Sequence, residues 1–103
     1  MKPDMLRQLV ALDKLIHEPA RLAILSVLAQ VDQADFLFIR KQTGLTKGNL
    51  SAHLSKLEAG QYIAIEKTYL GKKPLTVCRI TEAGRSAYDS YCETLRDFLT
   101  RLD

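Results

Sequence analysis

Residues 44–63 read GLTKGNLSAHLSKLEAGQYI, and the spacing of their apolar side chains decides what the rest of the chain can be. At about 100° per residue, Leu50, Leu54 and Leu57 fall in one narrow wedge, while Gly48, Ala52, Ser55, Lys56 and Ala59 lie broadly opposite, with Asn49 and Ser51 at the borders. A helix over Lys47–Ala59 follows, with Thr46 as N-cap and Gly60 as its stop. Just before it, Thr43-Gly44 ends another helix, because Gly44 can take the left-handed conformation past a helix end, and Leu45 can pack back inward. A helix kept only for packing shows solvent a face rich in Glu, Lys and Gln, which favour helix. The outer face here is small and hydrogen-bonding instead.

Working outward, Ala34–Gln42 reads as a short helix with Phe36 and Ile39 inward and Arg40 and Lys41 outward. Beyond Gly60 the period drops to two. Ile63, Ile65 and Lys67 share one strand face and Thr76, Cys78 and Ile80 another, separated by the turn GKKP with two lysines at its tip, which predicts a β-hairpin. Thr81 then caps a last helix to about Leu102. Toward the N-terminus, Met5, Leu9, Leu12 and Ile16 recur at helical spacing over Asp4–His17, and Pro19 opens a second, mostly buried helix carrying Leu22, Leu25, Leu28, Ala29 and Val31. The predicted order is α-α-α-α-β-β-α, a mainly α chain with one hairpin, in one domain spanning residues 1–103.

Composition narrows the function. Between Arg40 and Arg79 lie eight basic residues and two acidic ones, so the middle of the chain carries +6 while the whole carries +3. A basic middle between acidic ends is an electrostatic footprint for a polyanion, against the plainer reading of a solvated charged surface. With only His17 and His53, no Gly-rich phosphate loop and no nucleophile beside a base, the chain reads as a non-enzyme with no cofactor. Cys78 and Cys92 stand apart, with no CxxC and no clustered His, so no metal site or disulfide framework is expected, and both read as buried thiols. MKPDMLRQL has no apolar signal-peptide core, and no run approaches the roughly 18 apolar residues of a membrane span. A cytoplasmic protein is expected.

The segments EPARLAILSVL (18–28), LTKGNLSAHLSKLEAGQYI (45–63), GKKP (71–74) and RITEAGRSAY (79–88), in this order and spacing, resemble the small one-domain winged helix-turn-helix regulators of the ArsR/MarR-like class. The resemblance implies a homodimeric transcriptional regulator, in the first instance a repressor. Its helix from Lys47 would enter the DNA major groove, and its hairpin would lie as a wing against the backbone or minor groove. Gln61, where such proteins often carry a second small residue, and Leu75, where a basic residue is common, depart from the pattern. The Cys-rich motif of metal-sensing members is absent, so metal sensing is not implied.

In that setting the outer face acquires a chemical reason. Gly48, Ser51, Ala52 and Ser55 allow close approach of backbone to DNA, and Lys47, Asn49, His53 and Lys56 supply hydrogen bonds to bases or phosphates. Asn49 is placed for a bidentate contact to adenine or for a local cap; His53 borders the core wedge and serves either as a phosphate contact or as a packed histidine bonded to backbone. Lys56, Lys72 and Lys73 suit phosphates, as do Arg40 and Arg79, unless simply solvated. On the last helix Tyr88, Tyr91, Leu95, Phe98 and Leu102 make a stripe wider than a small core needs, which pairs with Leu9 and Leu12 to suggest that terminal helices 4–17 and 82–102 build a homodimer on an inverted repeat; a monomer is the alternative. A winged-helix module for a protein or RNA partner is the competing reading, because fold does not fix function. Any small-molecule effector is left open.

Overall fold

Gly44 sits at φ +72°, where only a residue without Cβ is at ease, and donates its N–H to Arg40 O at 2.9 Å, closing one helix so that the next can start three residues later. In the computed structural model, which describes residues 3–102, these are α3 (Phe36–Thr43) and α4 (Lys47–Ala59). Thr46 caps α4 as expected, its hydroxyl accepting from the Asn49 N–H at 3.2 Å. Leu50 and Leu57 are fully buried and Leu54 nearly so. Around this pair stand α1 (Pro3–Val10), α2 (Pro19–Leu28), β1 (Ala34–Asp35), β2 (Ile63–Leu70), β3 (Lys73–Ile80) and α5 (Glu82–Thr100).

The expected architecture is present with one added strand. Ala34 and Asp35 were expected inside a helix; instead they pair antiparallel with Cys78 and Val77, giving a three-stranded sheet in the order β1-β3-β2. The reason is local: the Asp35 carboxylate accepts the Phe38 N–H at 2.8 Å, making Asp35 an N-cap, and a cap residue has extended backbone. Helix α1 is also corrected. The helix expected over 4–17 ends at Val10, because Asp13 accepts from the N–H groups of Leu15 (2.9 Å) and Ile16 (3.2 Å) and so offers the chain a turn in place of a helix. Leu12 and Ile16 still reach the core, but from a connection rather than a helix face. α2 opens at Pro19 as expected and stops at Leu28, short of Val31.

The hairpin has the expected face pattern, with Ile63 opposite Ile80, Ile65 opposite Cys78 and Lys67 opposite Thr76. Its turn is tighter than GKKP implied. Leu70 pairs with Lys73, leaving Gly71 (φ +65°) and Lys72 as a two-residue turn with glycine in the first central position. Gly60 ends α4 but keeps helical backbone (φ −78°); the left-handed residue is Gln61, at φ +65°. A Cβ at Gly60 would meet Leu15 Cδ2, the movable end of a side chain, rather than backbone. Thr81 caps α5 by accepting from the Gly84 N–H (3.0 Å), and α5 runs to Thr100, so Leu102 lies past its end.

Ile16, Ile24, Leu25, Leu28, Ile39, Leu50, Leu57 and Cys78 form the centre of the core, all without exposure. The molecule measures 57 × 25 × 21 Å, with a radius of gyration of 15.4 Å, above the roughly 13 Å of a compact chain of 100 residues. Its length reflects the extension of the hairpin and the terminal helices beyond that core.

Candidate nucleic-acid interface

Helix α4 turns its small and polar residues to solvent. Lys47, Gly48, Asn49, Ser51, Ala52, Ser55 and Lys56 are all exposed, while the Leu50, Leu54 and Leu57 wedge anchors the opposite face. A Cβ at Gly48 would meet nothing within 4 Å, so nothing inside the protein requires a glycine there. Asn49 lends its backbone N–H to Thr46, and its carboxamide makes no hydrogen bond among the described residues, which leaves it available to an outside partner. Lys47, Lys56, Lys67, Lys72 and Lys73 form no ion pair among the described residues. A free row of cations beside a free row of donors is what a polyanion needs.

Lys47 and Ser51 at the start of α4 line one groove together with Phe36 and Leu37 of α3 and Pro74, Leu75 and Thr76 of β3. The hairpin thus stands beside the exposed face rather than behind it, and its tip carries Lys72 and Lys73 near Tyr69 and Leu70, two large apolar side chains each about 70% exposed. Sequence reading singled out neither Tyr69 nor Leu70, because alternation along a strand tells which residues share a face and not whether anything packs on it.

His53 is the site residue that the structure places differently. Its side chain is 19% exposed, and its Nδ1 lies 3.2 Å from Arg21 Nη1 and 4.0 Å from Glu18 Oε1. It is therefore packed, though bonded to side chains rather than to backbone. Glu18 caps α2, accepting the Arg21 N–H at 2.8 Å. Partial burial pushes the Glu18 carboxyl up, but that hydrogen bond and the nearby His53 and Arg21 outweigh it and leave it below the usual carboxylate range.

The model of the winged helix DNA-binding domain family matches residues 20–99. The chain belongs to that family. Its members are DNA-binding domains, not enzymes, and the match takes in α4 and the whole β2–β3 hairpin. The chain is similar to a transcriptional regulator homologue of Pyrococcus horikoshii OT3, 29% identical, with 94% of this chain and 98% of that one superposed at a TM-score of 0.87. An uncharacterised Methanocaldococcus jannaschii protein, MJ0432, is 31% identical over 78 residues, covering 76% of this chain and 85% of its own length. A MarR-family transcriptional regulator of Silicibacter pomeroyi shares the fold at 20% identity and a TM-score of 0.67, with 95% of this chain and 63% of that one covered.

The winged helix carries a second exposed apolar region on its terminal elements. Leu6 and Val10 of α1 and Leu99 of α5 are exposed, as is Leu102 beyond α5. Of the residues read from sequence as a dimer stripe, Leu12 and Tyr91 are buried within the chain's own core, and Leu9, Tyr88 and Leu95 pack against it. Phe98 is half-buried. Of that stripe Leu102 is the residue left exposed, so the free apolar surface lies mostly on Leu6, Val10 and Leu99 rather than on the expected residues.

That connection is tied down by polar contacts. Tyr62 OH donates to Asp13, and His17 Nδ1 lies 2.8 Å from Tyr91 OH. The Asp13 contact and partial burial push the Tyr62 phenol up from 10.0 to about 12. Since the folded value is the higher one, this contribution to stability is complete below pH 10 and is lost as pH rises toward 12. In an alkaline absorbance titration, Tyr62→Phe should remove one late-ionising phenol and flatten the loss of stability across that window; an unchanged late step would show that Tyr62 is not its source.

No helix among the described residues is long and apolar enough to cross a membrane. Nor do three or more His, Cys, Asp or Glu gather there as a metal site.

Proposed function

We propose that this winged helix is a sequence-specific, double-stranded-DNA-binding transcriptional regulator that acts in the cytoplasm as a homodimer on an inverted-repeat operator. The exposed and unpartnered row on α4, bordered by the free cations of the wing, is the observation that supports it. Lys47, Gly48, Asn49, Ser51 and Ala52 approach the bases in the major groove, and Lys56, Lys72 and Lys73 grip phosphates. Two copies joined through the apolar surface of α1 and α5 place two recognition helices in successive major grooves, with half-site centres about 10 bp, or roughly 34 Å, apart. Covering a promoter in this way represses it. A binding selection from random duplexes with the purified chain, followed by competition titration at moderate salt, tests the reading. An enriched inverted repeat that resists competitor DNA supports it; binding that random duplex removes as readily as the selected site defeats it.

Asn49→Ala should lower affinity for the selected site by about 1 to 3 kcal/mol and leave affinity for random DNA nearly unchanged, because a base-edge contact discriminates and a phosphate contact does not. Equal losses on both DNAs would remove Asn49 from base reading. Replacing Lys72 and Lys73 together by Ala should weaken binding to every sequence alike and reduce the slope of log K against log salt by roughly 1 to 2, each phosphate contact contributing about 0.9. A slope that stays put would mean that the wing tip does not touch phosphate.

A further inference from the structure

We propose that His53 is a positioning residue for the recognition helix: with Arg21 it fixes the roll of α4 against the α1–α2 connection, and it does not contact DNA. This inference rests on the DNA-binding reading of α4 but concerns what holds that helix rather than what it reads.

Arginine has only donors, so in the 3.2 Å contact between Arg21 Nη1 and His53 Nδ1 the histidine nitrogen accepts. The ring proton then resides on Nε2. The other donors of the same guanidinium are committed to the connection: Nε donates to Leu15 O at 2.6 Å and Nη2 to Lys14 O at 3.5 Å. The rigid guanidinium plane thereby links two backbone carbonyls before α2 to the middle of α4. Among the described residues, His53 is the side chain through which α4 makes its polar tie to another element, the bond from Arg21.

Leu50, Leu54 and Leu57 hold α4 by apolar burial, which has little directionality. A hydrogen bond has direction, so this one opposes rotation of the helix about its own axis. The connection that anchors Arg21 is held in turn by Tyr62 through Asp13 and by Tyr91 of α5 through His17. Arg21 therefore sets the angle of the recognition helix relative to the base of the wing and to α5. In a dimer joined through α5, that angle determines whether both recognition helices fit their grooves together.

Two measurements on the whole chain decide the matter. Long-range nitrogen–proton NMR of the His53 ring, read without DNA, should show a proton on Nε2 and a bare Nδ1, with the bias lost in Arg21→Ala. In titrations of the selected duplex, His53→Ala should cost about tenfold in affinity, Arg21→Ala at least as much because it also releases Leu15 O and Lys14 O, and the double variant no more than Arg21→Ala alone, since both single variants break the same hydrogen bond. His53→Asn, whose Oδ1 takes the place of Nδ1, should restore affinity, whereas His53→Gln, whose Oε1 mimics Nε2, should not. Gln is the better helix former, so helix propensity does not explain that order. If Gln rescues and Asn does not, or if the single losses multiply, His53 acts on DNA directly and the proposal falls. Should Arg21→Ala fail to fold by circular dichroism, the Asn and Gln comparison alone decides. A parent chain that selects no site overturns the DNA reading, and the ring-proton measurement then upholds or overturns the Arg21–His53 link by itself.

Discussion

Gly84→Ala should lower stability by about 3 kcal/mol, at the upper end of what an inserted methyl costs in a packed site. A Cβ at Gly84 would overlap the Tyr62 carbonyl oxygen and come within 2.8 Å of the Tyr62 carbonyl carbon. Both obstacles are backbone, and that backbone is already fixed: Tyr62 O accepts the Thr81 N–H at 3.0 Å, and Thr81 Oγ1 donates to Gln61 O at 2.7 Å. The first turn of α5 is thus clamped to the start of β2 at a distance that only glycine allows. In thermal unfolding the loss should appear as a fall in Tm of roughly 12–24 °C, at 4–8 °C per kcal/mol for a domain of this size. Gly48→Ala makes the contrast. It meets no atom within 4 Å, so its fold should be at least as stable, while specific DNA affinity should drop if the α4 backbone approaches the duplex there. A Gly84→Ala loss below about 1 kcal/mol would show that α5 can lift from Tyr62 at little cost.

Leu99→Glu should convert a dimer into a monomer and weaken operator binding by about 10²- to 10⁴-fold, the gain that tethering two binding modules supplies. Leu99 is 55% exposed and stands outside the core cluster, so the charge should leave the fold intact. Val10, 78% exposed, serves as an independent site for the same test. Leu95 is the poorer choice, because it packs against the chain's own core and a Glu there would damage the fold together with any interface. Sedimentation of the parent at tens of micromolar and of the variant at the same concentration reads the assembly directly. A parent that sediments as a monomer, with one copy bound per unrepeated site, would remove the homodimer from the proposal.

Helix α4 and the turn before it were legible because each of their determinants is local. Gly44, Thr46 and the Leu50-Leu54-Leu57 wedge act within a few residues of one another, through a left-handed turn, a side-chain cap and a helical period. The hairpin was equally readable, since a period of two and a glycine turn need no knowledge of what packs on them. Fold class and the exposed character of α4 therefore follow from the amino-acid sequence by itself.

Other features required the tertiary structure, because they depend on partners far along the chain. The Asp35 cap sets extended backbone locally, but β1 forms where Cys78 and Val77 pass beside Ala34 and Asp35, and two residues carry no pattern of their own. The first helix ended early at a turn made by Asp13, and that turn is held by Tyr62, 49 positions away. The left-handed backbone past α4 fell to Gln61 rather than to Gly60, against what residue type alone suggests. His53 lay on the border between two faces of one helix, where periodicity leaves its direction open. Arg21, 32 positions earlier, settled it by supplying a donor on the inner side. Local hydrogen bonds and side-chain period determine which elements form; which surface stays free is decided by the distant side chains that reach each element first.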